Sequence, residues 1–150
     1  MKRIVSLLLF IVLCFGTSGC FLLPMTSDDP DAWMEYTIIK SSETRVEIYV
    51  SGLGDWGWKL IDLMERAKAD EELTYEISGG MVTSIEGKDN AADFSSCWML
   101  YTSDAEMSNT EWGTIQVGEK TFGSAIVGAE ALLLVEGEYY VWDYFTFWDY

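Results

Sequence analysis

From Arg45 to Val50 hydrophobic and polar positions alternate: Val46, Ile48 and Val50 fall on one side of an extended chain, and Arg45, Glu47 and Tyr49 on the other. Period two is the mark of a half-buried strand. Gly52-Leu53-Gly54 breaks the run, and Asp55 is a residue type that caps helices. The period then lengthens. Trp56, Leu60, Leu63, Met64 and Ala67 share one helical face, while Lys59, Asp62, Glu65, Arg66 and Lys68 face water. Alternation returns with Leu73, Tyr75 and Ile77, turns at Gly79-Gly80, and resumes from Met81 to Glu86, ending at Gly87-Lys88-Asp89-Asn90. Cys97 to Thr102 is a short apolar strand, Ser103 to Asn109 a polar excursion, and Trp112 to Val117 a further strand closed by Gly118-Glu119-Lys120. Ala131 to Val135 and Tyr139 to Tyr144 read as a hairpin about Glu136-Gly137-Glu138. Residues 33–40 are ambiguous, with Tyr36 to Ile39 a candidate short strand. The pattern predicts a single α+β domain over residues 44–150, one helix packed on a twisted, mostly antiparallel sheet.

The front of the chain has another character. Lys2 and Arg3 precede an almost unbroken apolar run from Ile4 to Phe15, and Gly16-Thr17-Ser18-Gly19-Cys20 follows. A charged start, a short apolar core and a small-residue exit are the parts of a signal peptide. The core is shorter than the roughly 20 residues a spanning helix needs. The exit resembles a bacterial lipobox, in which the cysteine after the cut receives a diacylglyceryl thioether; Ser18 and Gly19 fit, and Thr17 stands where leucine is usual. The expected organisation is a signal peptide at 1–19 and a lipidated Cys20, with a tether over 20–43 carrying Pro24, Asp28, Asp29, Pro30 and Asp31. The setting is extracytoplasmic, with the membrane as partner through the anchor. Plain secretion, with Cys20 unmodified, is the alternative.

Composition narrows the chemistry. The 150 residues hold 9 Lys+Arg against 25 Asp+Glu, a net charge of −16, and loss of Lys2 and Arg3 with the signal takes it to −18. Nucleic-acid phosphates are repelled by such a chain, so no nucleic-acid partner is expected. Anionic lipid is repelled too, which leaves the anchor to hold the protein to a membrane. The chain has no histidine. That removes Ser-His and Cys-His catalysis, histidine general bases and histidine metal sites. Of three cysteines, Cys14 leaves with the signal and Cys20 is the anchor, so Cys97 has no internal partner and reads as a small buried side chain. The acidic groups Asp28-Asp29-Asp31, Asp70-Glu71-Glu72 and Asp89 with Asp93 lack the alternating ligand spacing of a calcium loop. No pair of carboxylates is marked out for glycoside chemistry. The expectation is a protein without catalysis, metal or resident cofactor.

Several short segments, in order, resemble a known family. They are Trp58-Lys59-Leu60-Ile61-Asp62-Leu63, the stretch from Tyr75 to Gly87, Trp98-Met99-Leu100-Tyr101, Gly123-Ser124-Ala125 and Val135-Glu136-Gly137-Glu138-Tyr139. Together they are similar to the bacterial domain related to the carboxy-terminal domain of transcobalamin and intrinsic factor. The resemblance implies a β-grasp-like fold, in which a sheet wraps one helix. It also implies ligand binding, with a cobalamin-like ligand the first candidate. Aromatic density at the carboxy end (Tyr139, Tyr140, Trp142, Tyr144, Phe145, Phe147, Trp148, Tyr150) and the loop 103–113 between aromatic strands suit recognition of a flat molecule. The candidate ligand-binding residues are Trp98, Tyr101, Trp112, Gly113, Ser124, Tyr140 and Trp142. For any one of these aromatics, the alternative is a place in the core of a small domain. Two functions follow: a surface lipoprotein that binds a small ligand, or a structural or adhesive domain whose aromatics meet another surface protein.

Overall fold

A computed structural model describes residues 33–147. The signal peptide 1–19, Cys20, the tether as far as residue 32, and Trp148 and Tyr150 lie outside the described residues. The described chain forms nine strands and one helix: β1 (Met34–Ser42), β2 (Arg45–Leu53), α1 (Leu60–Ala69), β3 (Tyr75–Ser78), β4 (Met81–Ile85), β5 (Lys88–Asp89), β6 (Ser96–Thr102), β7 (Ser108–Val117), β8 (Lys120–Ala125) and β9 (Tyr139–Thr146). A six-stranded sheet has the order β1-β2-β9-β6-β8-β7, and a three-stranded sheet the order β3-β4-β5. All pairings are antiparallel.

Three expectations are corrected here. The domain is mainly β, 54% strand and 9% helix, with two antiparallel sheets, and it is not an α+β, β-grasp-like helix on a sheet. The reason lies in the size of α1. Ten residues make a helix about 15 Å long, which covers only part of a six-stranded sheet. The small sheet and the segment 126–135 cover the rest: Leu63, Met64, Tyr75, Val82, Ile85 and Leu132 join Ile48 and Trp142 in one core. Secondly, the sheet begins before residue 44. Met34 to Ser42, assigned to the tether, pairs along its length with β2. Thirdly, residues 131–135 make no hairpin with β9. They contribute one bridge, Leu133 to Lys59, while β9 lies between β2 and β6.

The segment 126–135 also starts the helix. The backbone N–H groups of Leu60 and Ile61 donate to the carbonyls of Leu132 and Ala129 at 2.9 and 3.1 Å, and that of Lys59 donates to the Asp62 carboxylate at 2.9 Å. The free donors of the first turn are met by distant backbone and by a carboxylate reaching back. Asp55 is not the cap, and Trp56 lies outside the helix, 56% exposed.

Both faces of β9 are buried. Tyr140 and Trp142 point into the main core, and Val141 into a second cluster with Tyr101, Ile115 and Phe122. The second face is closed by curvature of the sheet itself. In a flat sheet, four steps of about 4.8 Å would set β7 some 19 Å from β2. Yet Arg45 Nη1 on β2 donates to the Gln116 carbonyl on β7 at 2.9 Å, and Arg45 Nε donates to Asp143 of β9 at 2.7 Å. The Phe122 and Tyr139 rings meet at 5.7 Å. Only Tyr101 and Thr102 of β6 pair with β8. The short ladder leaves the β7–β8 hairpin free to fold over the sheet.

Candidate functional site

The register of β6 against β9 sets Leu100 opposite Trp142 and Trp98 opposite Tyr144, and that of β6 against β8 sets Tyr101 opposite Ser124. Trp98 and Trp142 thereby share a face, and with residues of the Ser124 strand they line one cleft of about 320 Å³. Its other walls include Gly80 and Val82 from the β3–β4 hairpin, Leu100, and Ile126 and Gly128 from the segment after β8. The Gly128 backbone stands close against the hairpin, where an added Cβ would sit 3.8 Å from the Gly80 carbonyl oxygen.

Trp98 is fastened at three points. Nε1 donates to the Lys88 carbonyl at 2.7 Å, the backbone N–H donates to the Asn90 side-chain oxygen at 2.9 Å, and the ring meets Tyr144 edge-on at 5.3 Å. It is a wall more than a movable clamp. Trp142 is 4% exposed, and its buried Nε1 has no hydrogen-bond partner among the described residues. An unpaired buried donor costs about 1–3 kcal/mol, so this indole carries an unsatisfied polar group at the border of the cleft. Ser124 stands opposite Tyr101 and two residues from Phe122, so its hydroxyl shares their face, and the Glu130 carboxylate stands beside Gly80 of the lining.

The other four candidates lie elsewhere. Tyr140 is fully buried beneath the sheet; its hydroxyl accepts from the Val135 N–H at 2.7 Å and donates to the Leu133 carbonyl at 3.2 Å. Burial pushes its phenol up to about 12. Tyr101 belongs to the second cluster, on the opposite face from Trp98. Gly113 approaches Tyr101: with φ at +142°, its missing Cβ would lie 3.7 Å from the Tyr101 hydroxyl. Trp112 sits in residues 110–113, which bulge from the β7–β8 ladder, and it is 63% exposed and outside the cleft. The chain thus gathers three candidates and disperses four. Gly80, Met81 and the segment 126–129 were missed. Met81, beside Gly80, and Ile126 are exposed apolar residues, which is a weak signal.

Among the described residues, no cluster of three or more His, Cys, Asp or Glu is placed to hold a metal, and no helix is long and apolar enough to cross a membrane. Cys97 is buried, and burial raises its thiol pKa. No protein-family model, curated protein or solved structure gives a significant match to the chain.

Proposed function

We propose that the chain is an exported lipoprotein, held to the outer face of a membrane through Cys20, whose domain binds a small flat ligand without catalysis. The observation that carries the ligand-binding half is the convergence of Trp98 and Trp142 on one cleft, bordered by the strand that carries Ser124. About 320 Å³ lies at the small end of ligand pockets. It suits one or two fused rings; a cobalamin-like molecule would enter only by an edge. The lining offers apolar contact and exposed backbone. A ligand acceptor reaching Trp142 Nε1 after a small side-chain shift would also relieve its unpaired donor.

Calorimetry and thermal-shift measurements with indoles, purines, cobinamide and cobalamins test this reading. A ligand that raises the melting temperature of the wild type, and fails to raise that of Ala125→Trp, which places a ring at the cleft, supports it. No shift with any of them, or an equal shift in the variant, refutes it. Fatty-acid labelling of wild type against Cys20→Ala tests the anchor separately. The structural or adhesive reading is favoured by one specific observation, the exposure of Trp112 on its bulge. A Trp112-dependent protein partner, found without any small-molecule shift, would put that reading first.

A further inference from the structure

Exposed apolar side chains collect at one end of the domain. Trp33, Trp56, Leu133 and Val135 are 45%, 56%, 51% and 43% exposed. Backbone hydrogen bonds tie their segments together: Gly54 N–H to the Trp33 carbonyl at 2.9 Å, Trp56 N–H to the Gly54 carbonyl at 2.8 Å, and Leu134 N–H to the Trp58 carbonyl at 2.8 Å. The Lys59–Leu133 bridge and the Gly137 N–H to Val50 carbonyl bond complete that end. The rings of Trp56 and Trp58 lie 6.4 Å apart, and Trp33 covers Gly52 so closely that an added Cβ would come within 2.6 Å of the indole. The opposite end of the sheet carries the β1–β2 turn and the end of β9.

The chain enters the domain at this same tryptophan end. Trp33 directly precedes β1, and residues 21–32 are all that separate it from Cys20. At no more than about 3.6 Å per residue, that length spans at most about 45 Å. A tether so short holds this end near the anchored surface at an effective concentration in the millimolar range. Tryptophan with aliphatic neighbours is the composition that settles at a membrane–water interface. Asp55 and Glu136 flank the patch in sequence and the whole chain is strongly acidic, which disfavours anionic headgroups.

We infer that the end bearing Trp33, Trp56, Leu133 and Val135 is a membrane-contact surface that seats in the interface of zwitterionic lipid. The inference rests on the lipid-anchor half of the proposed function. Contact fixes the orientation of the domain: the sheet stands with this end on the bilayer, and Trp98, paired with Tyr144, lies towards the far end.

The full chain, exported and purified with its modification, is reconstituted in phosphatidylcholine vesicles with brominated acyl chains, and tryptophan emission is read. The expected result is quenching relative to unbrominated vesicles. At least half of that quenching should be lost in Trp56→Ser/Val135→Ser, whose retention on vesicles through the anchor is unchanged. That pair is chosen because Trp33 also packs on Gly52. Replacing part of the lipid with phosphatidylglycerol should lower the quenching. A wild type that stays on vesicles unquenched, or a variant quenched as fully as wild type, overturns the inference and leaves the anchor standing. A wild type released as freely as Cys20→Ala overturns both.

Discussion

Replacing Tyr140 with phenylalanine removes one oxygen atom from the interior and keeps the ring. In the native chain that oxygen sits between the Val135 N–H at 2.7 Å and the Leu133 carbonyl at 3.2 Å, on a side chain with no exposure. The variant leaves one backbone donor and one acceptor without their partner. Each buried unpaired group costs about 1–3 kcal/mol. Leu133 and Val135 are themselves about half exposed, so water meets part of the loss, and a total of about 1.5 kcal/mol is the expected destabilisation. For a domain of this size, about 4 °C per kcal/mol turns this into a fall of about 6 °C in Tm. Urea unfolding should show a lower midpoint with an unchanged slope, and the Val135 amide should exchange faster. The phenol adds a pH test. Its folded pKa of about 12 lies above the ordinary value near 10. Its contribution is fully present below about pH 10 and is lost as pH rises towards and through 12. Tyr140→Phe should lack that component of the alkaline fall. A loss below about 0.5 kcal/mol with unchanged Val135 exchange would refute this account of Tyr140 as the tie between β9 and the segment before it.

Arg45→Met should loosen the curl of the sheet, because it breaks the bonds to Asp143 and to the Gln116 carbonyl. Both groups are partly exposed, so the cost is about 1–2 kcal/mol, and hydrogen exchange should quicken in β7 and β8 more than in β1 and β2; a uniform change would count against the latch. Burial alone would raise the Glu86 carboxyl, but Lys40 at 2.8 Å and the Thr74 N–H and hydroxyl outweigh it and hold the carboxyl below its ordinary value. That stabilisation is present above the unfolded pKa near 4.3 and is lost as pH falls through the lower folded value. Unfolding measured from pH 6 to pH 3 should therefore fall less steeply in Glu86→Gln, and equal slopes would reject the role given to this network.

Elements with a local cause were legible in the sequence. The alternation of Val46, Ile48 and Val50 is β2, with those side chains fully or almost fully buried. The face of Leu60, Leu63, Met64 and Ala67 is the buried face of α1. Gly79-Gly80 turns the β3–β4 hairpin with both residues at positive φ, which glycine adopts freely. What escaped depends on distant partners. β1 is an outer strand whose last four residues are exposed, so its own pattern is faint and its pairing with β2 defines it. β8 runs Lys120-Thr121-Phe122-Gly123-Ser124-Ala125, a poor strand by composition. Gly123 is there because a Cβ would press on Ser108 at 3.1 Å and on the Asn109 backbone at 3.2 Å. The aromatic alternation of β9 was plain, but its second cover comes from a hairpin that folds back over β6, β9 and β2. Part of the site could have been read further. Trp98 and Tyr101 are three apart on one strand, a spacing that puts them on opposite faces, as the structure shows. Tyr140 and Trp142, two apart, share a face, but only the β6 register separates the one under the sheet from the one at the cleft.

The place of β9 bears on when the fold can close. It comes last of the ten elements, yet it is the strip to which β2 and β6 both attach. Until residues 139–146 have been made, each neighbour lacks its second partner and the core around Ile48, Leu100 and Tyr140 cannot close. Synthesis runs from the amino end, so everything before residue 139 leaves the ribosome as an incomplete sheet. A secretion channel that threads extended polypeptide needs a chain that has not yet closed. Under the proposed export, this strand order supplies the delay from topology alone, leaving the final ladder to zip on the far side.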